Sequence, residues 1–145
     1  MQKLTFDSVQ VGQELPPVIK IVNQEMFWKY AVASLDYNPV HNDPEWVKTA
    51  QPFKVPYTVA HGMMTMSFIV TVATNWAYPS GLKITKIDTK FTRPVAPGWT
   101  VKCSGFVSEK HVICKGKNYV MVDLKAENQN GDLLAVGQTK VLFPD

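Results

Sequence analysis

Ala60-His61-Gly62-Met63-Met64-Thr65-Met66-Ser67-Phe68-Ile69-Val70-Thr71-Val72-Ala73-Thr74-Asn75-Trp76 decides the fold. The run is apolar nearly all round, the pattern of a helix buried on every side. Its β-branched residues leave helix and strand indistinguishable by periodicity. Length settles the matter for a helix, because about four turns of continuous apolar chain exceed an ordinary strand. Thr65, Ser67 and Thr71 interrupt the run, which is too short to cross a bilayer.

Downstream of this helix the chain reads as strands. Ile84, Ile87 and Phe91 stand among polar residues over 83–91, and Val101, Cys103, Gly105 and Val107 share one face of the next segment. Val120, Val122, Leu124 and Ala126 then alternate with Met121, Asp123, Lys125 and Glu127. Asn130-Gly131 predicts a tight hairpin turn with positive φ at both positions, leading into a last strand over 133–142.

Upstream, the turn-rich 11–17 predicts a loop, followed by a short strand over 18–22. Asn23 is suited to cap a helix over 24–34, with Glu25 in its first turn and Phe27, Tyr30, Ala31 and Ser34 along one stripe. Residues 35–42 change to Asp, Asn, Pro and His and predict an ordered loop. Asp43, before Pro44 and Glu45, predicts a capped short helix to Ala50. The expectation is one α+β domain over 1–145, an antiparallel sheet wrapped around one long buried helix.

Composition narrows the function classes. A chain of 145 residues, 46% hydrophobic and 19% charged, is globular and of single-domain size. The net charge of +3 comes from lysines scattered along the chain and one arginine, Arg93, without a basic run, so nucleic-acid binding is not expected. No leader or membrane segment is apparent at Met1-Gln2-Lys3-Leu4, and Cys103 and Cys114 read as reduced thiols of a soluble cytoplasmic protein. Neither cysteine has metal-ligand spacing with a histidine, so no metal site is expected.

Chemistry concentrates in Asp36-Tyr37-Asn38-Pro39-Val40-His41-Asn42-Asp43-Pro44, with His61-Gly62-Met63 beginning twenty residues after His41. A carboxylate and an imidazole close in the chain suit acid/base work near neutral pH. A glycine opening a helix offers unpaired N–H groups to a developing oxyanion. Taken singly, Asp36 and Asn38 read more readily as turn residues and His41 as a surface histidine; the spacing together with His61-Gly62-Met63 turns the reading toward function.

The combination resembles the signature of the MaoC-like, R-specific enoyl-CoA hydratase family, in which an Asp-x-Asn-Pro-aliphatic-His-x-Asp-Pro loop follows a helix and Ala-His-Gly-Met opens the central helix of a hotdog fold. Phe91-Thr92-Arg93-Pro94-Val95-Ala96-Pro97-Gly98 resembles the family's following strand and turn. The chain is also similar to small subunits of two-component (3R)-hydroxyacyl dehydratases. It departs from the pattern at Leu35, where the family usually has glycine, and at Val47, where alanine is common.

The resemblance implies reversible hydration of a trans-2-enoyl-CoA to the (R)-3-hydroxyacyl-CoA, without a cofactor. Asp36 and His41 would be the catalytic pair, Gly62 the oxyanion donor, and Asn38 the residue that fixes the loop or the water. Candidate substrate-binding residues are His61, whose ring suits first a structural tie between helix and loop, Met63, which in a buried helix is more often core filler, and Arg93, a partner for a CoA phosphate or equally a surface charge. Asp43 reads as a helix cap, and His111 as solvent-facing and unpaired.

The substrate implied is a thioester of CoA or acyl carrier protein, and the assembly a homodimer or heterodimer. Two other readings are open. One is a hotdog thioesterase, which commonly carries an acid on or near the central helix, where 62–76 has none. The other is a non-catalytic or half-catalytic subunit of a heteromeric dehydratase.

Overall fold

The computed structural model describes residues 3–144. Strands β1 (Glu14–Ile21), β2 (Lys83–Phe91), β3 (Thr100–His111), β4 (Asn118–Glu127) and β5 (Leu133–Phe143) form one antiparallel sheet in the order β1-β3-β4-β5-β2. Helices α1 (Gln24–Ser34), α2 (Pro39–Asn42), α3 (Pro44–Ala50) and α4 (Gly62–Ala77) precede β2. Helix α4 packs against all five strands, which is the hotdog arrangement.

The core lies between α4 and the inner face of the sheet. Phe68, Ile69, Val72 and Ala73 meet Val101, Val107, Val122 and Leu134, all buried. At about 25 cal/mol per Å2 of apolar surface removed from water, this seam is the main source of the fold's stability. Two inward-facing glycines let the backbone close on the core. A Cβ at Gly137 would lie 2.9 Å from Ile69 Cδ1, and one at Gly105 would lie 2.6 Å from Leu124 Cδ2 and 2.8 Å from the Asp123 carbonyl oxygen.

Four expectations change. First, α4 is not buried all round: Met64, Phe68, Ile69 and Val72 face the sheet, whereas Met63, Ser67 and Asn75 are exposed. The apolar pattern reports hydropathy, and Ser67 and Asn75 supply the polar side of a helix with one covered face. Second, residues 35–42 are not all loop. Pro39 starts the single-turn helix α2, because its fixed φ suits a first helical position and Asn38 Oδ1 accepts from Val40 N.

Third, β1 begins at Glu14 and absorbs Pro16 and Pro17. It is an edge strand, and its register shifts between Leu15 and Val18, so neither proline breaks a continuous ladder. Fourth, Asn130 does not adopt positive φ. Gly131 does, at 82°, within a loop over 128–132 in which Asn128 Oδ1 accepts from the N–H groups of Asn130 and Asp132. Helices α1 and α3 match their expected limits. Asn23 accepts from Met26 N, and Asp43 from the N–H groups of Glu45 and Trp46.

Candidate active site

The loop after α1 is built from short side-chain-to-backbone bonds. Leu35 closes α1 in the left-handed region, φ 60° and ψ 23°, the conformation that favours the glycine usual in the resembling family. Asp36 Oδ1 then accepts from Asn38 N at 3.2 Å, and Asn42 Nδ2 donates to Asn38 O at 3.0 Å. Helix α1 grips this loop from one side: Gln24 Nε2 donates to His41 O at 2.8 Å and Trp28 Nε1 to Asn42 O at 2.9 Å. The Gln24 Oε1 accepts from the Thr58 hydroxyl, tying α1 to the segment before α4.

Within this frame His41 Nε2 stands 4.0 Å from Asp36 Oδ2. His41 Nδ1 lies 2.7 Å from the Val59 carbonyl oxygen. That oxygen can only accept, so the proton of the neutral ring belongs on Nδ1, and Nε2 turns its lone pair toward the carboxylate side. Burial pushes the His41 pKa below its ordinary value, with a smaller push from His61; the bond to Val59 and the Asp36 charge oppose this. The lowered pKa favours the neutral His41 ring. The Asp36 side chain is 51% exposed and that of His41 13%, so water reaches the pair from one side.

His61 sits behind the pair. Its ring stacks on His41, centroids 3.9 Å apart, and its Nε2 lies 3.1 Å from the Asp36 carbonyl oxygen. It is also the N-cap position of α4, without a side-chain capping bond. Met64 and Thr65 donate to His61 O, which leaves the Gly62 and Met63 N–H groups as the free donors at the helix start. A cavity of about 410 Å3 opens on this point, lined by His41, Val59, Ala60, Gly62, Phe91 and Arg93 among others.

The structure thus brings Asp36, His41, His61 and Gly62 together, with Asn38 underneath as a cap. Arg93 borders the cavity but pairs with Asp132 Oδ1 at 3.3 Å. Met63, 55% exposed, lies on the open side of α4 and is neither core filler nor part of the cavity lining. His111, expected to be unpaired, bonds Glu109 at 2.6 Å and stacks on Tyr119. A larger depression of about 1060 Å3 lies on the outer face of the sheet, among Lys102, Phe106, Asp123 and Gln138, and none of its lining residues is a histidine.

Three contributors were not singled out from the sequence. The Val59 carbonyl has no side-chain signature. Gln24 carries the only hint, as a polar residue in the first turn of α1. Phe91, whose ring would lie 3.4 Å from a Cβ at Gly62, reads in the sequence as a strand residue heading the family-like stretch 91–98, with nothing to mark its contact with Gly62.

Asp36, His41 and His61 each present a potential metal ligand, all within 4.8 Å of one another. Zinc bonds of about 2.0–2.2 Å in tetrahedral geometry need ligand atoms about 3.4 Å apart, so this spacing is too open for an ion without movement. Both cysteines are free. Cys103 is buried, with its thiol pushed up to about 12 by burial, and Cys114 is exposed. Among the described residues no helix is long and apolar enough to cross a membrane.

These features define a MaoC-like domain. The family model of that name matches residues 7–129, and the chain belongs to this family. It is similar to an (R)-specific enoyl-CoA hydratase of Rhodospirillum rubrum, 29% identical over 113 residues that cover 74% of this chain and 75% of the relative. Among solved structures, it resembles an R-hydratase from Pseudomonas aeruginosa, with TM-score 0.82 and 27% identity over 97% of this chain and 85% of the other. An (R)-hydratase from A. caviae gives TM-score 0.78 and 25% identity over 94% and 98%.

Proposed function

We propose that this protein is a hydro-lyase that adds water to a trans-2-enoyl-CoA to give the (R)-3-hydroxyacyl-CoA, and runs the same reaction in reverse. The observation that carries this reading is the 4.0 Å gap between Asp36 Oδ2 and the free Nε2 of His41, beside a helix start that opens on a cavity. The relatives named as R-hydratases support the substrate class.

A water at about 2.8 Å from each group fits the gap. In the hydration direction, His41 Nε2 takes a proton from this water while its oxygen bonds the β-carbon. The carbon–carbon π electrons move toward the thioester, whose oxygen becomes negative and accepts from the Gly62 N–H. The His41 imidazolium then returns its proton to the α-carbon on the same face, which re-forms the neutral base and completes a syn addition. Asp36 accepts the water's second hydrogen, aims it, and faces the transient imidazolium.

Asn38 supports this arrangement by capping α2, and the chain requires no cofactor for it. Hydrolysis of the thioester is disfavoured because α4 carries no carboxylate. The exposed side of α4 suits cover by a second hotdog chain, identical or related, with the CoA near that boundary.

Purified protein mixed with crotonyl-CoA and longer trans-2-enoyl-CoAs should remove the enoyl absorbance and yield the R product on chiral analysis. Release of free CoA thiol without hydration would replace this reading with thioester hydrolysis. Inertness on every acyl length, relieved by co-expression with a related chain, would replace it with the subunit reading.

A further inference from the structure

Asp36 and His41 share one short loop, yet a residue from another element touches both. His61, at the start of α4, is 2% exposed and fills the space between the loop and Tyr30, whose ring centroid is 4.8 Å from its own. Its Nε2 faces the Asp36 carbonyl oxygen at 3.1 Å, and since that oxygen only accepts, Nε2 carries the proton. Its ring plane lies 26° from that of His41 at a centroid distance of 3.9 Å.

We infer that His61 is a positioning residue, which holds the Asp36 main chain through Nε2–H and braces the His41 ring so that its Nε2 points at the Asp36 carboxylate. The inference rests on the hydration reading of that pair. A displacement of about 1 Å between reacting groups costs on the order of 100-fold in rate. The Asp36 side chain is half exposed and accepts from Asn38 N at 3.2 Å, while its main chain is held most closely by His61, with longer contacts from Asn42 Nδ2 to its carbonyl and from its own N–H to Ser34 Oγ, both 3.4 Å.

His61 Nδ1 is buried without a partner. The ionisable groups facing His41 are Asp36 from its own loop and His61 from α4. Tyr30 of α1 lies beyond His61, and Arg93, across the cavity, is paired with Asp132. A second imidazole stacked at this distance disfavours positive charge on His41, in addition to burial.

Two substitutions separate the two actions. His61→Phe keeps a ring against His41 and removes the donor; His61→Gln keeps a donor within reach of Asp36 O and removes the stacked ring. For His61→Phe we expect kcat to fall at least about 30-fold with KM within about 3-fold, as for a misaimed pair. For His61→Gln, which keeps the hold on Asp36 but removes the brace on His41, we expect kcat to fall by about 5- to 10-fold, less than for His61→Phe, with the acid limb of kcat/KM moved upward.

Wild-type kcat and an unmoved limb in both variants would overturn the inference. So would an equal loss in both with the limb unmoved, the mark of a merely structural histidine. If neither variant folds, nitrogen-15 imidazole NMR on the unaltered chain decides. His61 must be the Nε2–H tautomer and His41 the Nδ1–H tautomer, and the opposite state at either ring contradicts the geometry. A wild-type chain that does not hydrate enoyl thioesters fails the underlying reading, whereas a hydrating wild type with indifferent His61 variants fails only this inference.

Discussion

Replacing Leu35 by glycine should stabilise the protein slightly and leave its chemistry nearly unchanged. Leu35 holds φ 60° and ψ 23°, a left-handed conformation that costs a residue with a Cβ about 1–2 kcal/mol. Its side chain is 76% exposed, so truncation forfeits only about 0.5 kcal/mol of burial. Glycine's greater freedom in the unfolded chain costs about another 0.5 kcal/mol.

The net is a gain of roughly 0.5 kcal/mol, a rise in Tm of about 1–2 °C. Urea unfolding followed by tryptophan fluorescence, at matched protein concentration, resolves this through the shift in midpoint. Turnover should stay within about threefold, because Asp36 is held by His61 and Asn42, not by Leu35. A loss of 1 kcal/mol or more would refute the reasoning and mean that Leu35 is covered in the working assembly.

Gly105→Ala forces a Cβ to 2.6 Å from Leu124 Cδ2 and 2.8 Å from a backbone oxygen, and should destabilise by about 2–3 kcal/mol in the same urea assay; a change under about 0.5 kcal/mol would show that the strand yields freely. Asp43→Ala removes the cap on two N–H groups of α3 and should cost about 1–2 kcal/mol, with the folded enzyme keeping its rate within a few-fold. The pH dependence of kcat/KM follows from His41. Its pKa is lowered, so the ring stays unprotonated to lower pH than an ordinary histidine, and activity is lost only as pH falls through that lowered value. The acid limb should lie below about 6.5, and a limb above it contradicts the reading of His41 as a buried neutral base.

Local chemistry explains which parts of the fold were legible in the sequence. Helices α1 and α3 were readable to their ends because Asn23 and Asp43 make the capping bonds their side chains suit. The turn helix α2 was not, because Pro39 reads as a stop unless Asn38 is known to cap it. The β4–β5 turn was placed correctly, but its geometry is set by Asn128, two residues before the Asn-Gly pair. The expected burial of α4 on every side failed because Met63, next to the buried Met64, faces away from the sheet, and apolar composition does not say which neighbours a face meets.

Within the site, Asp36, Asn38 and His41 were legible because six consecutive residues, 36–41, carry them. The tie of His61 from the start of α4 to the loop was legible as well, but its stacking on His41 and its choice of the Asp36 carbonyl were not, since no residue type announces either. The same holds for Val59, whose carbonyl oxygen sets the His41 tautomer.

Joint action of Asp36 and His41 in the hydration is read from steady-state hydration of a trans-2-enoyl-CoA by the wild type and by Asp36→Asn and His41→Gln. Each variant should fold as the wild type does and lose at least about 100-fold in kcat, and the double variant should be little worse than the weaker single one, since the two groups act on one water. Wild-type rates in folded Asp36→Asn and His41→Gln proteins would contradict that joint action.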